Sequence, residues 1–313
     1  MRIVAKKKVA DAAKVLIAIS ITLLVYGTVL NVSTLLGLVE TPKRGVVVDS
    51  DNTNVISITS SDTLEIDDDD NSYNRVDDDS DETIIRENIF LRNEIQDEFS
   101  VLVKYGKETE GYQVGGVSTV PMTDPKKMSE ILNDLYNTLS LYPKGMFKEM
   151  KDGGIPLTII LVNNYSEIGI TGVTDSSYDY ANISIAAKYD FAESFYHESY
   201  HYIERYMLKK KAKFNSWDSL NPDSFEWNTI DGSLSYTNTF SENSYFVNNY
   251  AQTSAEEDRA STFEYMMAST KASCLNKGTP VWNKATYMAL TIESVFKTVS
   301  PDSIEYWERY IKD

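Results

Sequence analysis

Histidine occurs only twice in 313 residues, at His197 and His201, and Glu198 lies between them in the stretch FYHESYHYIERYM (Phe195–Met207). On a helix, residues i and i+4 sit one above the other on the same face, so two imidazoles spaced this way can converge on one point. A zinc ion accepts such nitrogens at about 2.0–2.1 Å. Glu198 is offset by one residue and flanks that point without being forced to ligate it. A base must stand there to take a proton from water acidified by the metal. His-x-x-x-His with Glu in second place is the signature of zinc metallopeptidases. The bland alternative is a pair of surface histidines, but two placed at random in a chain this long stand four apart on the order of once in a hundred.

Two histidines do not complete a catalytic zinc site, which takes three protein ligands and leaves the fourth place to water. With no third histidine, the remaining ligand must come from Asp, Glu or Cys. Cys274, the single cysteine, has no motif around it and reads as a small buried residue on a helix. The richest segment is NYAQTSAEEDRASTFEYMM (Asn249–Met267), which offers Glu256, Glu257, Asp258 and Glu264. Spacing alone leaves these open, because Ser254-x-x-Glu257 is also a capping box and acidic residues favour a helix N-terminus in any case.

The elements that must position these residues are partly legible. Asp190 and Glu193 form a capping box for the histidine helix, which follows a short strand at Asn182–Ala187. A second helix starts near Ser254 and runs through EEDRASTFEYMMAS, a third spans about Trp282–Lys297, and Ser300-Pro301 opens a short last one. Upstream, Asp124-Pro125 caps and starts a helix with Met128, Ile131, Leu132, Leu135 and Leu139 at helical spacing, stopping before Pro143. PLTIILV (Pro156–Val162) reads as a buried strand, and the alternation of Phe99, Val101, Val103 and Tyr105 reads as a half-buried one. Residues 212–252 lack a helical period and are rich in aromatics. Trp217, Phe225 and Trp227 read as a satellite core, and Tyr236 through Phe246 as a partly exposed wall or lid of a substrate cleft.

The net charge of −17 argues against nucleic acid as a partner. Most of it is local: between Asp62 and Glu82 eleven carboxylates face one Arg, which is −10 of the total. That stretch reads as a solvated, self-repelling spacer. The run Val15–Val39 has no charge and is long enough to span a bilayer. Arg2, Lys6, Lys7, Lys8 and Lys14 precede it, which places the N-terminus in the cytoplasm and everything after residue 40 outside. The expected organisation is a cytoplasmic tail at 1–14, an uncleaved transmembrane signal-anchor at 15–39, an acidic disordered linker at 40–82 and a folded domain at 83–313. A cleaved signal peptide is the rival reading of the N-terminus.

HESYH followed by YAQTSAEEDRASTFEYM resembles bacterial cell-surface zinc-binding metallopeptidases, and is more distantly similar to the catalytic domain of anthrax-type lethal factor. LSLYPKGMFKEM (Leu139–Met150) and NPDSFEWN (Asn221–Asn228) also resemble stretches of the cell-surface group, so the likeness covers roughly residues 120–313. In that group the histidine helix is followed by Tyr, six residues, Glu, then Ala and Phe, here Tyr250, Glu257, Ala260 and Phe263. The resemblance implies that Glu257 is the third zinc ligand and that Tyr250 steadies the oxyanion. The lethal-factor pattern carries a second Glu four residues after the ligand. This chain has Ser261 there, which leaves Asp258 or Glu264 to substitute for it.

Together these readings predict an α+β fold, a zincin-like metallopeptidase domain behind a transmembrane helix and an acidic linker. His197, His201 and Glu257 would hold Zn2+, Glu198 would act as general base, and a protein or peptide would be the substrate. Localisation would be the cell membrane, single-pass, with the catalytic domain extracellular. The rivals are a catalytically inactive zinc-containing surface binding module, and an adhesion protein in which the histidines are incidental.

Overall fold

The computed structural model describes residues 80–167, 169–187, 191–228, 244–268, 271 and 274–312. The expected membrane run 15–39, nearly all of the acidic linker, the capping residue Asp190 and the aromatics Tyr236 and Phe240 lie outside the described residues. Of the two units into which the chain divides, 1–73 and 74–313, only the second contains described residues. Among them no helix is long and apolar enough to cross a membrane.

The domain begins earlier than expected. Helix α1 spans Asp81–Phe99, and the Ser80 side chain accepts a hydrogen bond from the Thr83 amide. Asp81 and Glu82 are therefore the first turn of a helix, where carboxylates complement the dipole, and not the end of a spacer. Phe99 closes this helix, so the strand expected from residue 99 is corrected to β1, Leu102–Lys104. Ser100, at φ 58°, makes the left-handed exit that separates the two elements.

Six strands form one mixed sheet: β1, β2 (Gln113–Val114), β3 (Val117–Pro121), β4 (Leu157–Tyr165), β5 (Gly172–Ser176) and β6 (Ala181–Ala186). Their order is β2-β3-β4-β6-β5, with β1 also paired to β4. Strands β1, β4 and β6 run parallel, whereas β5 lies antiparallel to β6 at the edge. Strand β4 alternates by face. Leu157, Ile159 and Leu161 join the main core under the helices, while Ile160 and Val162 join Val114, Tyr165 and Ala186 on the other side. Being buried on both faces, β4 reads in sequence as a continuous apolar run.

The helices over the sheet follow the expected starts. In α2 (Pro125–Leu139) the Asp124 carboxylate accepts from the Lys126 and Lys127 amides, and all five predicted apolar positions are buried. Short α3 (Met146–Asp152) precedes β4. Helix α4 (Phe191–Lys209) carries the histidine pair. Helix α5 (Ala255–Met267) is capped by Ser254 and stops earlier than predicted. Thr279 caps α6 (Pro280–Val295). The short last helix expected at Ser300-Pro301 is instead a single 3-10 turn at Tyr306–Glu308.

The α2 core should dominate stability locally. Leu132 is fully buried and Leu290 on α6 is 56% exposed. Leu132→Ala should cost about 2–5 kcal/mol in urea unfolding, and Leu290→Ala about 0.5 kcal/mol or less. Comparable losses would contradict this packing.

Candidate metal centre

Helix α4 presents His197 inward, where it is buried, and His201 one turn on and partly exposed. Their rings stand 5.1 Å apart, edge to face. Across from them, the first turn of α5 brings Glu257. The Ser254 hydroxyl accepts from the Glu257 amide, but the Glu257 carboxylate does not close a capping box. It reaches the histidines instead: Oε2 lies 3.0 Å from Nε2 of His197 and 3.6 Å from Nε2 of His201. The candidate ligand atoms of these three residues all fall within 4.8 Å of one another. Two ligands of a tetrahedral zinc with bonds near 2.0–2.2 Å stand about 3.3 Å apart, so the donor set and its separations suit such an ion.

The electrostatics agree with a site built for a cation. Burial alone would lower the His197 pKa, but the hydrogen bond to Glu257 and the nearby carboxylates of Glu264 and Glu198 raise it to about 10. Burial alone would raise that of Glu257, but hydrogen bonds from His197 and His201 hold its carboxyl well below the usual range. Positive charge is stabilised at the point where the three side chains meet.

Four consecutive side chains fan out from the start of α5. Glu256 is largely exposed, at 3.9 Å from Arg259. Glu257 faces the histidines. Asp258 turns into the core, where it accepts from the Trp217 indole at 2.8 Å and from Lys284 at 2.7 Å. Arg259 reaches back to α4 and donates to Glu204 at 2.5 Å. Buried pairs on either side therefore set the rotation of α5 about its axis, and with it the aim of Glu257. Trp217 is thus part of the main core.

Glu198 points the other way, toward the sheet edge. The Thr174 hydroxyl on β5 lies 2.7 Å from its Oε2 and can donate to it. At Gly172 a Cβ would stand 2.6 Å from Cγ of Glu198, so only glycine lets the carboxylate lie against this strand. A cleft of about 720 Å³ runs between β5 and α4, lined by His197, Glu198, His201, Thr174, Tyr250 and Glu257 among others. Tyr250 places its ring 5.9 Å from that of His197. Burial, with the charges of Glu257 and Glu198, pushes its hydroxyl well above the ordinary phenol range, so it remains a donor.

The cleft-wall expectation is corrected. Phe246 packs on Phe225 at 4.6 Å and on Trp227 at 6.0 Å between ring centres, with the Lys284 ammonium 3.9 Å above it. It belongs to that aromatic cluster, and neither it nor Tyr245 lines the cleft. The Asp190–Glu193 capping box lies partly outside the described residues; the Glu193 carboxylate stands 2.5 Å from Lys271. Sequence reasoning missed Gly172, Thr174 and Lys271. Only Gly172 left a signal, as a glycine near the start of an extended stretch.

No family model matches this chain, and no curated protein matches it. Among solved structures it is similar to a "putative zinc-binding metallo-peptidase" from Bacteroides caccae, at 15% identity and a TM-score of 0.48, covering 74% of this chain and 93% of that one. A TM-score below 0.5 does not establish a shared fold.

Metal binding by the full chain should reach about one ion per molecule. Glu257→Gln should weaken it strongly, by an order of magnitude or more, and the outward Glu256→Gln only slightly. Metal analysis after dialysis against a chelator series checks the ranking, and the reverse order would displace Glu257 as a ligand.

Proposed function

We propose that this chain is a zinc-dependent peptidase that cuts protein or peptide substrates outside the cell, anchored by residues 15–39. The observation that carries this reading is the convergence of His197, His201 and Glu257 beside Glu198 at the wall of an open cleft. Two imidazoles and one carboxylate are a donor set found in catalytic zinc sites. The anchor rests on the uncharged run and on the basic residues before it.

His197, His201 and Glu257 would hold the zinc, which when bound would supply a Lewis acid to acidify water and polarise a carbonyl. Glu198 accepts the proton of the attacking water as the new C–O bond forms, then delivers it to the amine as the C–N bond breaks. The Thr174 hydroxyl and the bare backbone of Gly172 keep that carboxylate in one place, which is what a shuttle needs between its two transfers. Tyr250, kept protonated by its surroundings, donates to the carbonyl oxygen as charge develops there. The care with which β5 fixes Glu198 favours turnover over a structural zinc clamp, since a clamp has no use for a base.

Glu198→Gln should keep its zinc and lose peptide cleavage by roughly 10²-fold or more. Cleavage-site proteomics with wild type against this variant is the test, and equal cleavage by both would remove the peptidase assignment. Gly172→Ala should also retain zinc while lowering kcat, by up to about 10²-fold, because its methyl group displaces Glu198. An unchanged kcat would show that the Glu198 position seen here is not the working one.

A further inference from the structure

We infer that Lys271 is a positioning residue for the metal centre, acting through Glu264 on the ring of His197. This rests on the reading of His197 as a metal ligand. Helix α5 ends at Met267, and Lys271 follows it outside any recognisable motif. Its ammonium stands 2.6 Å from Oε1 of Glu264 and 2.5 Å from Oε2 of Glu193. The other oxygen of Glu264, Oε2, faces Nδ1 of His197 at 3.5 Å. Nε2 of the same ring is the atom turned to Glu257.

The four side chains close a loop between two helices. Glu193 and His197 lie one turn apart on α4, Glu264 sits in the last turn of α5, and Lys271, beyond the end of α5, meets the carboxylates of Glu193 and Glu264. Glu264 is 3% exposed as a residue. A carboxylate that buried is costly to keep charged unless a cation meets it, and Lys271 is its ammonium partner. The carboxylate in turn sets which face of the imidazole looks toward Glu257, as outer partners do for metal-binding histidines. Asp258 cannot fill this place, because Lys284 and Trp217 already hold it on the far side of α5.

The test uses the full chain in detergent, with Lys271→Met, Lys271→Arg, Glu264→Gln and Glu193→Gln. Zinc affinity is read by chelator competition, the cobalt-substituted protein by its visible absorption, and the metal-free protein by thermal unfolding. Lys271→Met and Glu264→Gln should each weaken zinc binding roughly 10–100-fold and change the cobalt bands. Glu193→Gln should do less, and Lys271→Arg should recover most of the affinity together with the metal-free stability that Lys271→Met loses by stranding Glu264. The proposal falls if Lys271→Met binds zinc as tightly as wild type with the same cobalt spectrum. It also falls if the affinity loss merely follows a loss of metal-free stability that Lys271→Arg does not repair. A wild-type chain that binds no zinc would overturn the peptidase reading as well, so the two failures are distinguishable.

Discussion

Where α4 packs on α5, imidazoles, carboxylates, an ammonium and a guanidinium share a buried to partly buried space beside the cleft. Glu257 meets the two histidines there, Arg259 meets Glu204, and Glu264 lies between Lys271 and His197. Removing one partner from a buried pair typically costs about 3–5 kcal/mol, because the other charge is stranded. Such contacts are poor sources of net stability against an apolar alternative. They do tolerate few relative positions of the two helices. Behind α5, Asp258 and Lys284 form a pair with no exposed side-chain surface, sealed by Trp217. That pair leaves Asp258 above the usual carboxylate range, at about 6, since burial outweighs the ammonium beside it. Helix α5 is thus held from both sides, and Glu257 is left in the one direction that faces α4.

The sheet supplies a second, independent constraint. Strand β5 is an edge, paired only with β6 among the described residues, and its residues are all of intermediate burial. Packing alone does not demand its sequence. What the site demands is a strand close enough to α4 that Glu198 lies flat against Gly172 and within reach of Thr174. The histidines are therefore aimed by helix–helix contact and the base by helix–strand contact. Neighbouring residues on one helix thus take different partners, His197 on α5 and Glu198 on β5.

How much of this is legible in the sequence follows from the range of each interaction. The His197–Glu198–His201 arrangement is local and periodic, so it can be read without a fold. The starts of α2 and α5 are equally local, written in Asp124-Pro125 and Ser254. Strand β4 betrays itself by a continuous apolar run. By contrast β5, with GVTDS, has no alternation to detect, and its role depends on a helix more than twenty residues away. Helix α1 was hidden because its acidic first turn continues the acidic run before it. Spacing does not separate Glu257 from Glu256, Asp258 and Glu264, since all four are plausible on a helix; the resemblance singles it out, and the fanning of α5 against α4, Trp217 and Lys284 gives the four different partners. Phe246 reads in sequence as a cleft wall because its partners Phe225 and Trp227 lie about twenty residues away in the chain.

The central claim is that one zinc ion is held by two imidazoles and one carboxylate, without sulfur. Zinc K-edge X-ray absorption on the zinc-loaded full chain tests it most directly. Residues His197, His201 and Glu257 predict light-atom ligands at about 2.0–2.2 Å, with the outer-shell scattering of two imidazoles. A sulfur shell at about 2.3 Å would instead bring in Cys274, the only thiol, which is buried and whose burial pushes its pKa up to about 12. Sulfur scattering, or a shell of oxygen without imidazole, would contradict the assignment.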